Sequence, residues 1–279
     1  MKKILALTLI SAMVLSMTAC GSKDAATTEE ATTEVAVTEE ATAEATEEAT
    51  AEEATTEEAA GGQLIMATNA EFPPYEYREG DQIVGIDADI AAAIAQELGM
   101  ELVIEDMQFD SIIAAVQSGK ADIGVAGMTV TEDRLATVNF STPYTQAAQV
   151  IIVKTDSEIT TPDALAGKTI GVQLGTTGDI YAEDIEDATI DRYNKGFEAV
   201  QALTQGKVDA VIIDREPANV FVEQNEGLKV VDEEFTVEDY AICIAKDNTE
   251  LLEKIDTALK TLKESGKLDE IKAKYIKAE

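Results

Sequence analysis

An α/β chain built as two similar lobes is what this sequence predicts, and three observations carry the prediction. Apolar runs of strand length alternate with amphipathic stretches in a β-α-β-α-β order, and two consecutive βαβ units imply a parallel sheet. The pattern Gly-Lys-x-Asp occurs twice, as Gly119-Lys120-Ala121-Asp122 and Gly206-Lys207-Val208-Asp209, each time between a helix and a buried strand. Each of those strands then runs out into residues able to grip a charge, Gly127, Thr129 and Arg134 in the first case and Asp214 in the second.

The chain begins as an exported one does. Met1-Lys2-Lys3 is basic, Ile4 to Met17 is apolar and too short to span a bilayer, and Thr18-Ala19 are small, so residues 1–19 read as a signal peptide. Cys20 directly after Ala19 resembles a bacterial lipobox, with Met17 where Leu is commoner. The resemblance implies cleavage before Cys20 and acylation there, palmitate included. Such a lipoprotein is membrane-anchored on the outer face of the cell membrane, or periplasmic. Residues 20–62 are almost wholly Ala, Thr and Glu, with no aromatic residue and no sustained apolar face. They cannot bury enough surface to offset ordering entropy and read as a disordered acidic tether, with a reach of about 35 Å.

Composition excludes several chemistries. A net charge of −34 repels nucleic acid. The sequence contains no His, which removes Ser-His-Asp and Cys-His catalysis and the commonest metal ligand, so neither metal nor cofactor is expected. With Cys20 acylated, Cys243 has no partner for a disulfide, and its apolar setting predicts a buried, inert thiol.

The folded body starts with the strand Leu64–Thr68, followed by Asn69 to Tyr77, where Pro73 and Pro74 stop helix and ladder and leave the aromatics on a stiff loop. An amphipathic helix opens at Ile86-Asp87-Ala88-Asp89 and ends at Leu98, with Gly99 beyond its last turn. Leu102–Ile104 is a strand, Phe109-Asp110-Ser111 introduces a helix closed by Ser118-Gly119, and Asp122–Ala126 is the next strand. Thr131 then caps a helix with acidic first-turn residues. An extended run from Thr142 to Val153 leaves this unit. The second unit has a strand at Lys168–Val172, the small-residue loop Gln173–Gly178 opening a helix, a helix at Gly196–Leu203 and a strand at Val208–Ile213. Tyr240–Ala245 is a further strand, and two closing helices flank Gly266.

The stretch Gly124 to Arg134 organises the functional reading. Ligands of open α/β sheets bind beyond the carboxyl ends of strands, where Gly127 lets a ligand near the backbone, Thr129 offers a hydroxyl and Arg134 a planar fork for a carboxylate. The alternative is a surface Arg paired with Glu132 or Asp133. The loop at Gly175 to Gly178 presents helix N–H groups to an anion.

Five segments in order resemble the amino-acid-binding lipoproteins of bacterial ABC importers, the polar-amino-acid solute-binding proteins of family 3. They are Ala67–Tyr77, Phe109–Ile113, Ala126–Arg134, Val172–Gly178 and Asp209–Asp214. The resemblance covers roughly residues 63 to 277. It implies a two-lobe periplasmic-binding-protein-like fold, each lobe a mostly parallel sheet flanked by helices, joined by two hinge strands near Ala147–Val150 and Tyr240–Ile242. Lobe one would comprise 63–149 and 240–279, and lobe two 150–239. By position, Arg134 would grip the ligand α-carboxylate with the backbone N–H groups of Thr129 and Thr177. Asp214, Thr129 and the Gly127 carbonyl would hold the α-ammonium. Phe72 and Phe109 would sandwich the side chain, although Phe109 could equally pack the following helix and Asp214 could also cap one. Asn69 stands where Asp is frequent in the family, Glu71 could restore that charge, and Gln173 suits an amide or a guanidinium.

The resemblance therefore implies a monomeric protein, not an enzyme, that captures an L-amino acid, glutamine-like or basic, and delivers it to an ABC transporter permease. The rival readings are an enzyme on the same fold, such as a cyclohexadienyl dehydratase using Glu71 and Asp214, and a sensor domain acting through a signalling partner.

Overall fold

The computed structural model describes residues 62–276; the signal peptide, Cys20, the tether up to residue 61 and residues 277–279 lie outside the described residues. β1 (Gln63–Thr68) opens the chain. A small antiparallel sheet follows, made of β2 (Glu71–Phe72), β3 (Glu76–Glu79) and β4 (Gln82–Val84). Then come α1 (Ile86–Leu98), β5 (Glu101–Asp106), a 3-10 turn at Phe109–Ser111, α2 (Ile112–Gln117), β6 (Ile123–Gly124), α3 (Glu132–Thr137) and β7 (Val138–Phe140). The middle of the chain supplies β8 (Thr145–Lys154), β9 (Thr169–Gln173), α4 (Thr177–Ala182), β10 (Thr189–Tyr193), α5 (Gly196–Thr204), β11 (Ala210–Asp214), α6 (Arg215–Gln224) and β12 (Leu228–Val230). β13 (Thr236–Tyr240), β14 (Cys243–Ala245), α7 (Thr249–Glu264) and α8 (Lys267–Tyr275) complete it.

These strands make two mixed sheets, the basis of a two-lobe fold. The first runs β5-β1-β6-β14-β7, parallel through β5, β1 and β6 and antiparallel beyond. The second runs β10-β9-β11-β8-β12, parallel through β10, β9 and β11, with β13 added to β8. β14 returns the chain to the first sheet, and β8 and β13 pair side by side from Thr145↔Tyr240 to Gln149↔Thr236. Helices cover the sheets through fully buried side chains such as Ile90 and Ile94 on α1 and Leu203 on α5, each worth about 1.5–3 kcal/mol of transfer free energy.

The repeated Gly-Lys-x-Asp has the same structural job in both sheets. The Asp122 carboxylate accepts the Ile65 N–H at 2.8 Å, and the Asp209 carboxylate accepts the Thr169 N–H at 2.9 Å. Each aspartate thereby accepts a backbone donor of the neighbouring parallel strand, level with the start of its own strand. Gly119 and Gly206 precede the lysines in matching left-handed conformations, φ +71° and +72°.

Two expectations change. The aromatics after Asn69 do not sit on a bare loop: the turn at Pro73-Pro74 is flanked by β2 and β3, which pair Phe72 with Glu76 across the hairpin. Facing partners of an antiparallel pair share one face, so Phe72 and Glu76 point the same way. The apolar run Tyr240–Ala245 is not one strand either. It breaks at Ala241-Ile242, where the Ala241 N–H turns to the Met128 carbonyl, because the chain is changing sheets. Apolar character reports burial and cannot report a change of partner.

Gly85 joins this hairpin to α1. Its φ is +129°, and a Cβ there would lie 2.1 Å from the Tyr75 carbonyl oxygen. That close approach lets the Ile86 and Asp87 N–H groups donate to the carbonyls of Pro74 and Tyr75, at 3.1 and 2.9 Å. Asp87 is thus locked beneath the turn that carries Glu76.

Candidate functional site

Nine residues singled out in the sequence line one cavity, Asn69, Phe72, Phe109, Gly127, Thr129, Arg134, Gln173, Thr177 and Asp214, and Glu76, Ala126 and Thr176 join them. The contributing strands do so at their carboxyl ends: β1 before Asn69, β6 before Ala126, β9 at Gln173 and β11 at Asp214.

Arg134 occupies the centre. Thr131 caps α3 by accepting the Arg134 N–H at 3.2 Å, which fixes the turn from which the side chain folds inward. Arg134 is 7% exposed, and its guanidinium donates from Nη1 to the Thr129 carbonyl at 2.7 Å and from Nη2 to the Gly175 carbonyl at 2.9 Å and lies 5.4 Å from the centroid of Phe109. Thr129 follows a strand of the first sheet and Gly175 one of the second, so a single side chain holds both exits. Glu132 and Asp133 are exposed, and the surface-pair alternative falls. Burial lowers the Arg134 pKa while Glu238 raises it, and an arginine stays charged under either influence. Its two carbonyl partners bring no negative charge, so the buried cation still favours an anion beside it.

Gly127 has φ +52°, and a Cβ there would meet Phe72 Cε1 at 2.9 Å. Phe109 both lines the cavity and belongs to the core behind it, so its two readings hold together. Asp214 sits at the N-cap position of α6 but makes no capping bond; its carboxylate instead accepts the Tyr240 hydroxyl. Burial, with Glu238 adding repulsion, pushes the Asp214 carboxyl from 3.8 up to about 7.

Asn69 and Gln173 fix each other across the two sheets. Asn69 Nδ2 donates to the Met107 carbonyl at 2.8 Å, so its Oδ1 is left to accept Gln173 Nε2 at 2.9 Å. Gln173 Nε2 also reaches the Asn194 carbonyl at 3.3 Å, leaving Oε1 as the free end, which accepts and does not donate. Glu71 does not supply the negative charge anticipated for it. It is paired with Lys195 at 2.5 Å, and the acid that faces the cavity is Glu76, 1% exposed with no N–H or O–H donor on either oxygen. Glu76 was missed because only the hairpin register distinguishes it from Glu71.

A second residue absent from the sequence reading is Glu238, 6% exposed on β13. Its Oε2 accepts Thr129 Oγ1 at 2.9 Å, Gln149 Nε2 at 3.0 Å and Thr177 Oγ1 at 3.0 Å. Each threonine hydroxyl, with its proton committed to Glu238, presents oxygen lone pairs elsewhere. Glu76, Asp87, Asp214 and Glu238 are all buried, against one buried Arg134, so the acids outnumber the base. The described residues hold no His/Cys/Asp/Glu group suited to a metal ion, and no helix among them is long and apolar enough to cross a membrane.

The sequence model of the bacterial extracellular solute-binding proteins, family 3, matches residues 64–278. The arginine-binding extracellular protein ArtP of Bacillus subtilis (strain 168) is 36% identical over 224 residues, covering 78% of this chain and 87% of that protein. An ancestral arginine-binding protein solved with arginine bound is 42% identical, with TM-score 0.73, covering 77% of this chain and 98% of that one. The same kind of ancestral protein solved with glutamine bound is 41% identical, with TM-score 0.74 and the same coverage.

The raised carboxyl of Asp214 makes stability depend on pH. Because the folded protein holds this proton more tightly than the unfolded chain, the contribution of Asp214 is present below about 4 and is lost as pH rises toward 7. The loss approaches about 1.4 kcal/mol per pH unit within that window. Denaturant titrations of the ligand-free protein and of Asp214→Asn between pH 4 and 8 should therefore diverge in the variant's favour as pH rises. Parallel profiles would contradict the raised pKa.

Proposed function

The chain belongs to the bacterial extracellular solute-binding proteins, family 3, and from that premise we propose that its cleft takes an L-amino acid with a cationic side chain, arginine foremost. It captures the amino acid between its two lobes and passes it to an ABC transporter. Arg134 receives the α-carboxylate, seconded by the backbone N–H groups of Thr129 and Thr177. The α-ammonium lies among Asp214, the Thr129 hydroxyl and the Gly127 carbonyl, so each charge of the zwitterion meets an opposite charge or a dipole. Phe72 and Phe109 flank the side chain and keep water from it.

The observation that carries the choice of a cation is Glu76, a buried carboxyl in the cavity wall with no donor of its own. Gln173, turned so that its oxygen is free, adds a second acceptor. A guanidinium offers both of them N–H groups and charge; the side-chain amide of glutamine offers N–H groups without the charge. The relatives named for arginine support the same choice, and the glutamine-bound ancestor keeps a neutral amide within reach of the fold.

The remaining organisation follows the same proposal. The lobes divide within the paired strands β8 and β13, with 63–149 and 240–279 forming one and 150–239 the other. The protein works as a monomeric carrier and not as an enzyme. It meets the permease while held by a lipid, palmitate included, on Cys20 and by the tether of residues 20–62. Closure follows capture because the ligand touches both strand exits only when they face each other.

Calorimetric titration of arginine and glutamine into wild type and Glu76→Gln tests the ligand. The variant should lose at least about tenfold in arginine affinity while its glutamine affinity holds or rises. Equal losses for both would remove Glu76 from the side-chain site. Fractionation of cells expressing Cys20→Ala should move the protein from membrane to soluble fractions; unchanged membrane association would rule out the anchor.

A further inference from the structure

We propose that Glu76 and Asp87 act as one proton-sharing pair, so that Asp87, behind the cavity wall, is a specificity-determining residue: a cationic side chain must displace the shared proton on arrival, and a neutral one need not. The inference rests on the reading that the ligand's side chain meets Glu76.

The hairpin and α1 press these two acids together. Glu76 and Asp87 are 1% and 0% exposed, and each lies within hydrogen-bonding reach of the other. Both Glu76 oxygens and Asp87 Oδ1 lack any N–H or O–H donor from elsewhere. Asp87 Oδ2 is well supplied, accepting the Gly127 N–H at 2.7 Å and the Tyr144 hydroxyl at 2.8 Å. Two carboxylates in contact, away from water, cannot both carry charge without a cation between them. The donors on Asp87 favour its ionised form, so the proton resides on Glu76 and points at Asp87. Burial raises both groups, Glu76 well above the usual carboxylate range and Asp87 to about 6.

The surrounding groups reinforce this. Asp106 at the end of β5 and Asp214 at the end of β11 both raise Glu76, and Asp106 is itself partnered by Arg78 at 2.7 Å. Tyr144 and Tyr75 face the pair, with Tyr240 packed edge-on against Tyr75 at 5.2 Å, and burial keeps all three phenols neutral. When a guanidinium enters, Glu76–COOH becomes Glu76–COO⁻, the proton leaves to the buffer, and guanidinium N–H groups replace it as donors to the carboxylates. The amide of glutamine can accept the Glu76 proton as a hydrogen bond and leaves it in place.

Calorimetry of the full chain in buffers of different ionisation enthalpy near pH 7 counts the protons. Asp214 responds to the α-ammonium of every amino acid, so its contribution cancels between ligands. Arginine should release about one proton more than glutamine, and its affinity should rise by up to about tenfold per pH unit relative to that of glutamine. If glutamine binds too weakly to titrate, Glu76→Gln loaded with arginine is the reference. Asp87→Asn should abolish the extra release and flatten the arginine pH profile while arginine still binds; an extra proton that persists in this variant would overturn the pairing. Should the variant fail to fold, the wild-type count decides. Tight arginine binding with equal proton counts would sink the pair and spare the proposed ligand. Failure of arginine to bind at any pH would sink both.

Discussion

A buried guanidinium suspended between two strand exits is the constraint on which the rest of this structure depends. Arg134 reaches one carbonyl that follows the first sheet and one that follows the second, and it obtains direction from both and charge from neither. A cation so placed is costly to bury alone. Its neighbours offset part of that cost, with the ring of Phe109 against the guanidinium, Thr131 fixing its helical turn and Glu238 lending negative charge from the connecting strand.

Glu238 shows how the connecting strands take part in the site. It stands on β13, and its three donors come from the loop after β6, from β8 and from the first turn of α4. One carboxylate oxygen on β13 thereby gathers a group from β8 and one from beyond a strand exit of each sheet. Three hydrogen bonds meeting on one buried carboxyl oxygen hold the two threonines in a single geometry. The cleft's surplus of acids has a related consequence. In the proposed binding mode the zwitterion balances Arg134 and Asp214, and the side chain of the ligand meets Glu76 and the proton it shares with Asp87, which is where charge should tell.

Much of this was legible in the sequence, for physical reasons that differ by residue. Gly127, Thr129, Arg134, Gln173 and Asp214 follow apolar runs bounded by small residues, and that pattern marks the end of a buried strand. The repeated Gly-Lys-x-Asp was legible as a repeat, but its meaning is structural: Asp122 and Asp209 finish the parallel ladders and stand apart from the cavity. Glu76 was not legible. It and Glu71 flank the same Pro-Pro turn, and only the Phe72–Glu76 pairing decides which acid turns inward. Glu238 and Gln149 lie on the connecting strands, where no motif separates a buried polar residue from an exposed one. The partly exposed strands β10 and β12 escaped because their apolar residues are too few to stand out from loop.

The central claim is that a positive side chain, and not merely the amino-acid backbone, is recognised in this cleft. Citrulline matches arginine in shape and lacks its charge, so comparing the affinities of the two for the unaltered protein tests the claim most directly. Arginine should bind at least about tenfold more tightly, since only its charge can take the place of the proton between the two buried carboxyls. Equal affinities, or a preference for citrulline, would contradict the account.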